Sequence, residues 1–275
     1  MRKNHVIGQL FIIAFAILLL ILFLFPLILA FNNSFKTLLE IIDSVFSLPN
    51  EWRFDNYINA FNSMNFPRAF LNTFVISLSS LVVVCLFSSM TAHFFLRNDW
   101  KFNKVMFALL VAAMIIPFQA IMIPLISIYG GLGLLNSQWT LVYFYLAFGS
   151  PMAIFIYHGF LKSIPLELEE AATIDGCNVF QCFFLIVFPL LKPVTATVAI
   201  LNVLWFWNDY LLPFLILNRP DQRTLSLATF SFYGTYSANY GLLLAALIMT
   251  IIPILIVYIF LQKFIQRGIV QGAIK

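Results

Sequence analysis

Long apolar stretches separated by short polar segments form the main pattern along this 275-residue chain. A helix that crosses a bilayer needs about 20 predominantly apolar residues. Six stretches approach that length, and the third is interrupted by Pro117 and Pro124. The pattern therefore predicts an all-α, polytopic membrane protein with six transmembrane helices, at about residues 10–31, 72–95, 105–125, 139–158, 195–217 and 242–262.

The composition supports a membrane environment. Apolar residues make up 62% of the chain and charged residues only 9%, against about 25% charged residues in a typical soluble protein. So few charges cannot cover the surface of a soluble fold. The net charge of +4 comes from scattered basic residues, which excludes a nucleic-acid-binding protein. The first stretch lacks a small-residue cleavage site and is too long for a signal peptide, so we expect a retained helix.

The basic residues orient the six predicted helices, because cytoplasmic loops carry an excess of Lys and Arg. With the N-terminus inside, ten basic residues lie in inner segments: Arg2, Lys3, Arg97, Lys101, Lys104, Lys162, Lys192, Lys263, Arg267 and Lys275. Five lie in outer segments: Lys36, Arg53, Arg68, Arg219 and Arg223. We therefore predict that both termini are cytoplasmic.

This topology divides the chain into a cytoplasmic N-terminus (1–9), one six-helix domain (10–262) and a cytoplasmic C-terminal tail (263–275). The long loop 32–71 is polar and aromatic and would lie outside, with short helices along the membrane surface. The loop 159–193 would lie inside.

The inner loop 159–193 carries the most informative polar pattern. Pro165 suits the first position of a helix. Acidic residues follow where the helix dipole favours them, namely Glu167, Glu169 and Glu170. Gly176 predicts the end of that helix, because glycine readily adopts a left-handed conformation. A second short helix is expected at about 179–187, which completes a helix–turn–helix.

Two interpretations of this acidic stretch are open: a solvated loop, or a helix that docks onto another protein. Small residues at Ala171 and Ala172 favour docking, because they let another surface approach closely. Glu170 beside them can pair with a basic group on that surface. The candidate docking residues are Glu170, Ala171, Ala172, Asp175 and Gly176.

The order and spacing of residues in this loop match a known motif. The matching residues are Glu170-Ala171-Ala172, Asp175-Gly176, Ile186, Phe188-Pro189-Leu190 and Pro193. They resemble the EAA loop of ABC importer membrane subunits, which docks as a coupling helix into a cleft on a separate ATPase subunit. Phe188 stands where the pattern usually has Leu, and Cys177 where it commonly has Ala. Both are conservative apolar replacements.

Shorter matches extend along nearly the whole chain. They are Asn33-Ser34-Phe35-Lys36-Thr37, Asn56-Tyr57 with Phe61, Pro117-x-Gln119 with Pro124, Gly131-Leu-Gly133-Leu-Leu-Asn136, Trp207-Asn208-Asp209-Tyr210, and Arg267-Gly268-x-x-x-Gly272-Ala273-x-Lys275. In this order they resemble the sugar-importing branch that includes the maltose permeases. The last two resemble the second, shorter six-span permease subunit of that branch.

The resemblance implies a type I ABC importer transmembrane domain that imports a sugar or oligosaccharide by alternating access. It implies a heterodimer with a homologous permease, two ATP-binding subunits that hold ATP and Mg, and an extracellular sugar-binding protein. This chain would need no cofactor of its own. The resemblance also implies that the C-terminal tail reaches the ATPase, through Arg267, Gly268, Gly272 and Lys275.

Polar residues within the predicted spans are candidates for the substrate pathway. A charge inside the bilayer costs about 2.5–3.5 kcal/mol on insertion scales, so Asp209 is a functional hypothesis. On a helical wheel Asn202 and Trp205 share its face, with Asn208 beside it. Carboxylate, amide and indole groups together suit a sugar. Gln119, between two prolines, is a further candidate. The competing interpretation is structural: Asp209 pairs with a basic group of the partner subunit.

Sequence motifs for catalysis are missing from the chain. It has no G-x-x-x-x-G-K-[ST] and no H-E-x-x-H. The three cysteines form no metal-binding or disulfide pattern. An intramembrane enzyme is therefore the weakest alternative. An ABC permease for another solute, such as an amino acid or a polyamine, is the stronger one.

Overall fold

A computed structural model of the chain describes residues 2–233 and 239–273, without the side chains of residues 2–8, 261 and 263–273. Within these ranges every regular element is a helix. The α-helices are α1 (Arg2–Asn33), α2 (Leu38–Asp43), α3 (Asp55–Ser63), α4 (Phe66–Arg97), α5 (Lys101–Ala113), α6 (Phe118–Gly131), α7 (Gln138–Leu161), α8 (Glu167–Ile174), α9 (Val179–Gln181), α10 (Phe188–Leu190), α11 (Lys192–Asn208), α12 (Leu211–Ile216), α13 (Leu225–Phe230) and α14 (Tyr240–Ala273). A π-helical segment, Cys182–Val187, joins α9 to α10, and a 3-10 turn, Pro220–Gln222, precedes α13.

The predicted all-α fold with six spans is confirmed, with a difference in how two spans are built. In the described part of the chain, four helices are long and apolar enough to cross a membrane: Gln9–Asn33, Phe66–Arg97, Gln138–Leu161 and Tyr240–Phe260. The third span is instead a bent pair of helices, and α11, which opens the fifth span, is sharply bent against the helical segment of the loop before it. Lys101–Ala113 and Phe118–Gly131 meet at 103°, and Val179–Leu190 and Lys192–Asn208 meet at 76°.

The prolines of the third span act differently from each other. Pro117 precedes α6 in an extended conformation (φ −68°, ψ 137°), and the chain bends between Ala113 and Phe118. Proline disfavours a helical conformation in the residue before it, which explains a break at this point. Pro124 lies inside α6 without ending it, so the expectation that it also interrupts the helix is wrong.

Two compact units make up the chain, and the first comprises Met1–Phe66 with Ala228–Ile252. The short helices predicted for its long loop are present as α2 and α3. The ring of Phe35 packs between Trp52, Phe54 and Tyr57, with centroid distances of 5.0, 5.3 and 5.1 Å. The buried Lys36 donates from Nζ to the Ser44 carbonyl at 2.9 Å. This cluster gives the loop after α1 a defined fold.

The second unit comprises Pro67–Leu227 with Pro253–Lys275 and contains the larger apolar core. Side chains from α4, α7 and α11 form that core, among them Val84, Tyr145 and Phe206. The close approach of α7 to α11 depends on Gly149, because a Cβ there would lie 2.8 Å from Asn202 Oδ1. Small residues at such crossings let transmembrane helices pack closely.

Candidate functional site

The first half of the inner loop folds as a short helix with a defined end. Helix α8 begins at Glu167, and the Leu166 carbonyl accepts from the N–H groups of Glu169 and Glu170 at 2.9 and 3.1 Å. Pro165 therefore precedes the helix, and its expected place at the first helical position is wrong by two residues. The difference is within the usual uncertainty of a helix boundary.

Gly176 ends α8 as the sequence predicts. Its φ is +92°, a conformation that residues with a Cβ rarely adopt. Gly176 N–H donates to the Thr173 carbonyl and Cys177 N–H to the Ala172 carbonyl, both at 3.0 Å. This pair of bonds is a Schellman motif, which satisfies the last carbonyls of the helix.

The second half of the loop is helical from Val179 onwards, as predicted. Asn178 caps it through a reciprocal pair of bonds with Gln181, each 2.9 Å long. The segment Cys182–Val187 is a π-helix rather than an α-helix. Short π-helical segments are rare and occur frequently at functional sites. The helix–turn–helix is therefore present, with a π-helical second half that the sequence did not indicate.

Helix α8 has two chemically different faces. Glu167, Glu170 and Ala171 are exposed, and Ile174 is 86% exposed. Glu169 and Ala172 are buried against the same chain. Asp175 and Gly176 are exposed at the end of the helix. The structure therefore brings Glu170, Ala171, Asp175 and Gly176 to one surface, whereas the expectation that Ala172 faces a partner is wrong.

An ionic cluster around Glu169 holds the buried face of α8. Glu169 Oε1 accepts from Arg97 Nε at 2.8 Å and lies 2.7 Å from Nη2 of the same side chain. His93 Nε2 donates to Glu169 Oε2 at 2.8 Å. No local sequence motif predicted that these three residues lie together. A usable signal was the spacing of His93 and Arg97, four residues apart, because that spacing puts two side chains on one helix face.

The second feature of interest is a cavity of about 460 Å³ in the second unit. Its polar lining residues include Gln119 and Asp209, with the indole of Trp205 beside them. Apolar residues form most of the remaining wall, among them Phe118, Phe148 and Leu212. The structure thus brings Gln119 together with Trp205 and Asp209, which lie more than 80 positions later in the sequence.

The other two pathway candidates do not line this cavity. Asn202 is buried and donates from Nδ2 to the Val198 carbonyl of its own helix at 2.9 Å. Asn208 is exposed and donates in the same way to the Leu204 carbonyl at 2.7 Å. Both amides are therefore engaged in local backbone bonds.

Asp209 lies at a break in the fifth span. Helix α11 ends at Asn208, and Asp209 is extended (φ −67°, ψ 129°), so the helical wheel that placed it on one helix face is wrong here. Its Oδ1 accepts from the Leu211 N–H at 3.1 Å and helps to start α12. Its Oδ2 accepts from the Tyr145 hydroxyl at 3.0 Å. The break turns the carboxylate toward α7 and the cavity.

The C-terminal candidates fall at the edge of the described chain. The backbone of Arg267, Gly268 and Gly272 belongs to α14, but their side chains are outside the described part. Lys275 lies outside the described residues altogether. Their expected contact with an ATPase stays a prediction.

The fold and this loop define a class of protein: a polytopic all-α membrane protein that exposes an acidic helix between two of its spans. The family described as binding-protein-dependent transport system inner membrane component matches residues 84–271, which include both α8 and the cavity. The chain belongs to this family of ABC importer permeases.

Relatives that match most or all of the chain carry the same type of name. The probable starch degradation products transport system permease protein AmyC of Thermoanaerobacterium thermosulfurigenes is 41% identical over 276 residues and covers 100% of both chains. The multiple sugar-binding transport system permease protein MsmG of Streptococcus mutans is 40% identical, covering 93% of each. The melibiose/raffinose/stachyose import permease protein MelC of Bacillus subtilis is 36% identical, covering 82% of this chain and 83% of MelC.

A solved structure supports the fold. A chain of a bacterial ABC transporter involved in the import of the acidic polysaccharide alginate matches with a TM-score of 0.82. The match covers 96% of this chain and 98% of that chain at 23% sequence identity. At this identity the similarity concerns the fold alone.

Proposed function

We propose that this chain is a permease subunit of an ABC importer that moves a sugar or oligosaccharide into the cell. The exposed face of α8, with Glu170 and Ala171 beside Ile174, is the observation that carries the proposal. Its charge and small residues suit contact with a basic cleft on an ATPase subunit. The names of the relatives AmyC, MsmG and MelC, which refer to starch products and other sugars, support the sugar class.

The mechanism follows from coupling α8 to the membrane helices. Two separate ATP-binding subunits hold ATP and Mg, and their closure moves α8. That movement alternates the spans between outward-open and inward-open states. An extracellular binding protein delivers the sugar, and a homologous permease completes a heterodimer in which this chain is the second, shorter subunit. In this chain one permease domain, residues 10–262, contains the spans that alternate between the two states.

The cavity lined by Gln119, Trp205 and Asp209 is the proposed passage for the sugar in this subunit. Its volume, about 460 Å³, lies within the usual range of about 300–1,000 Å³ for ligand pockets. The amide and carboxylate can bond sugar hydroxyls, and the indole can pack against the C–H face of the ring. An amino acid or polyamine would pair its charged ammonium with Asp209, whose two oxygens already accept from the Tyr145 hydroxyl and the Leu211 N–H.

The proposed orientation is testable by cysteine labelling. We expect Asn50→Cys, in a background without Cys85, Cys177 and Cys182, to react with a membrane-impermeant thiol reagent in intact cells. Phe180→Cys, on the exposed part of the inner loop, should react only after permeabilisation. Labelling of Phe180→Cys in intact cells would contradict a cytoplasmic inner loop.

Removal of the C-terminal tail tests its proposed contact with the ATPase. Deleting residues 268–275 should lower sugar uptake and stimulated ATP hydrolysis, because a basic, glycine-containing extension would no longer reach the ATPase. The complex of two permease subunits and two ATP-binding subunits should still assemble, since α8 is intact. Uptake at the wild-type rate would show that the tail is only a frayed terminus near the lipid surface.

A further inference from the structure

The buried face of α8 is bound to the C-terminal end of α4 by hydrogen bonds and an ion pair. Glu169 is 8% exposed although it is a glutamate on a helix of only eight residues. One carboxylate oxygen accepts from Arg97, with the two nitrogens Nε and Nη2 at 2.8 and 2.7 Å, and the other accepts from His93 at 2.8 Å. Hydrogen bonds to ionised groups are shorter and roughly twice as strong as neutral ones.

The same two residues of α4 also contact the rest of the loop. Arg97 Nη2 donates to the Ile164 carbonyl at 3.1 Å, in the turn that leads into α8. The His93 ring packs on Phe183 with a centroid distance of 5.4 Å, in the π-helical segment that follows α9. His93 and Arg97 therefore contact the loop before α8, within α8 and after it.

The stability of this cluster depends on Glu169 and its partners being present together. Removing one partner of a buried ion pair leaves the other charge without compensation, which is strongly destabilising. A displacement of α8 away from α4 would have the same effect on Glu169 and Arg97. The cluster therefore penalises any movement of α8 that α4 does not follow.

We propose that Glu169, His93 and Arg97 form the joint through which a movement of α8 is transmitted to α4, with Glu169 as the positioning residue. The inference rests on the proposed function. It assigns contact with the ATPase and contact with the membrane helix to two adjacent residues of α8. Glu170 faces the ATPase, and Glu169 faces the membrane helix. Neither residue replaces the other, because Glu169 is buried against α4 and Glu170 is exposed.

The test compares Glu169→Gln with the matched control Glu167→Gln, which changes an exposed glutamate of the same helix. Each variant is purified with its partner permease, ATPase subunits and binding protein and placed in liposomes. The measurement is radiolabelled oligosaccharide taken up per ATP hydrolysed, at equal amounts of complex. A residue that only stabilises the fold would change the amount of complex and leave this ratio unchanged.

The expected result is a loss of coupling with the assembly retained. In Glu169→Gln the exposed face of α8 is unchanged, so the ATPase subunits should still co-purify and hydrolyse ATP. Sugar uptake per ATP should fall about tenfold, within the range of typical coupling effects between distant sites. Glu167→Gln should keep the wild-type ratio.

Two outcomes would overturn the inference. A wild-type ratio in Glu169→Gln, while the wild-type complex transports sugar, would show that the joint is unnecessary and leave the proposed function intact. Absence of ATP-dependent uptake by the wild-type complex would overturn the proposed function together with this inference. If Glu169→Gln does not reach the membrane, Arg97→Lys decides by the same ratio. It keeps a positive charge beside Glu169 but loses the contact through two nitrogens, so it should give an intermediate value, and a wild-type value would overturn the inference.

Discussion

Replacing Glu170 by alanine is expected to abolish sugar uptake while the permease remains in the membrane. Glu170 lies on the exposed face of α8, so its loss should not disturb the core of the chain. Against a basic group on the ATPase it would form a partly buried ion pair, and removing one member of such a pair costs about 3–5 kcal/mol. A glutamate facing only solvent would contribute about 0–1 kcal/mol.

The measurement is co-purification of the ATPase subunits together with sugar-stimulated ATP hydrolysis. Glu167→Ala, also exposed and nearer the start of α8, is the matched control and should have a mild effect. If Glu170→Ala keeps both ATPase binding and stimulation at wild-type levels, α8 is not the coupling element.

A proline at Gly176 should abolish uptake by a different route. Gly176 has φ +92°, and proline is restricted to φ near −65°. The Schellman turn would be lost, and the exposed residues of α8 would no longer be held in place. Gly176→Ala should be milder, since a left-handed conformation at a residue with a Cβ costs on the order of 1–2 kcal/mol. The same co-purification and ATP hydrolysis assays distinguish the two variants, and equal activity of both would contradict this account.

A third, smaller effect is expected at Asp209. Its two carboxylate oxygens accept from Tyr145 on α7 and from the Leu211 N–H at the start of α12. Asp209→Ala leaves the hydroxyl of the fully buried Tyr145 without this acceptor, and a buried unsatisfied group costs about 1–3 kcal/mol. We expect uptake to fall about tenfold, the change that corresponds to about 1.4 kcal/mol.

Companion variants separate the structural interpretation of Asp209 from substrate contact. Asp209→Asn keeps an oxygen that can accept one of the two bonds and should be milder than Asp209→Ala. Tyr145→Phe removes the hydroxyl and leaves Asp209 Oδ2 without that donor, while Oδ1 keeps the Leu211 N–H. If Asp209 acts through Tyr145, the effects of Asp209→Ala and Tyr145→Phe should be non-additive and the concentration of sugar at half-maximal uptake should change little. An increase in that concentration for Asp209→Asn alone would indicate direct contact with the sugar.

The fold was largely predictable because the bilayer imposes long apolar segments. All six spans were located by hydrophobic length, and Gly176 was identified as a helix end by its conformational freedom. The interruption at Pro117 was expected from its residue type, whereas the break at Asp209 was not expected. Pro124 sits in a continuous helix although its residue type favours a break, and only the packing around a proline decides between the two outcomes.

The candidate sites were predictable only in part because local sequence does not specify faces or long-range partners. Ala171 and Ala172 are neighbours in sequence, but the helix places them on different faces. Glu169 looked like one more solvated acid, and its partners His93 and Arg97 lie more than 70 positions earlier. The cavity brings Gln119 together with Asp209, and no local pattern specifies that they lie together.

Reconstituted uptake tests the central claim most directly. The complex of this chain with its partner permease, ATPase subunits and binding protein is placed in liposomes loaded with ATP and offered labelled oligosaccharides, amino acids and polyamines. The account predicts ATP-dependent accumulation of an oligosaccharide that is lost when this chain is omitted. Accumulation of an amino acid or a polyamine instead, or no ATP-dependent accumulation of any solute, would contradict it.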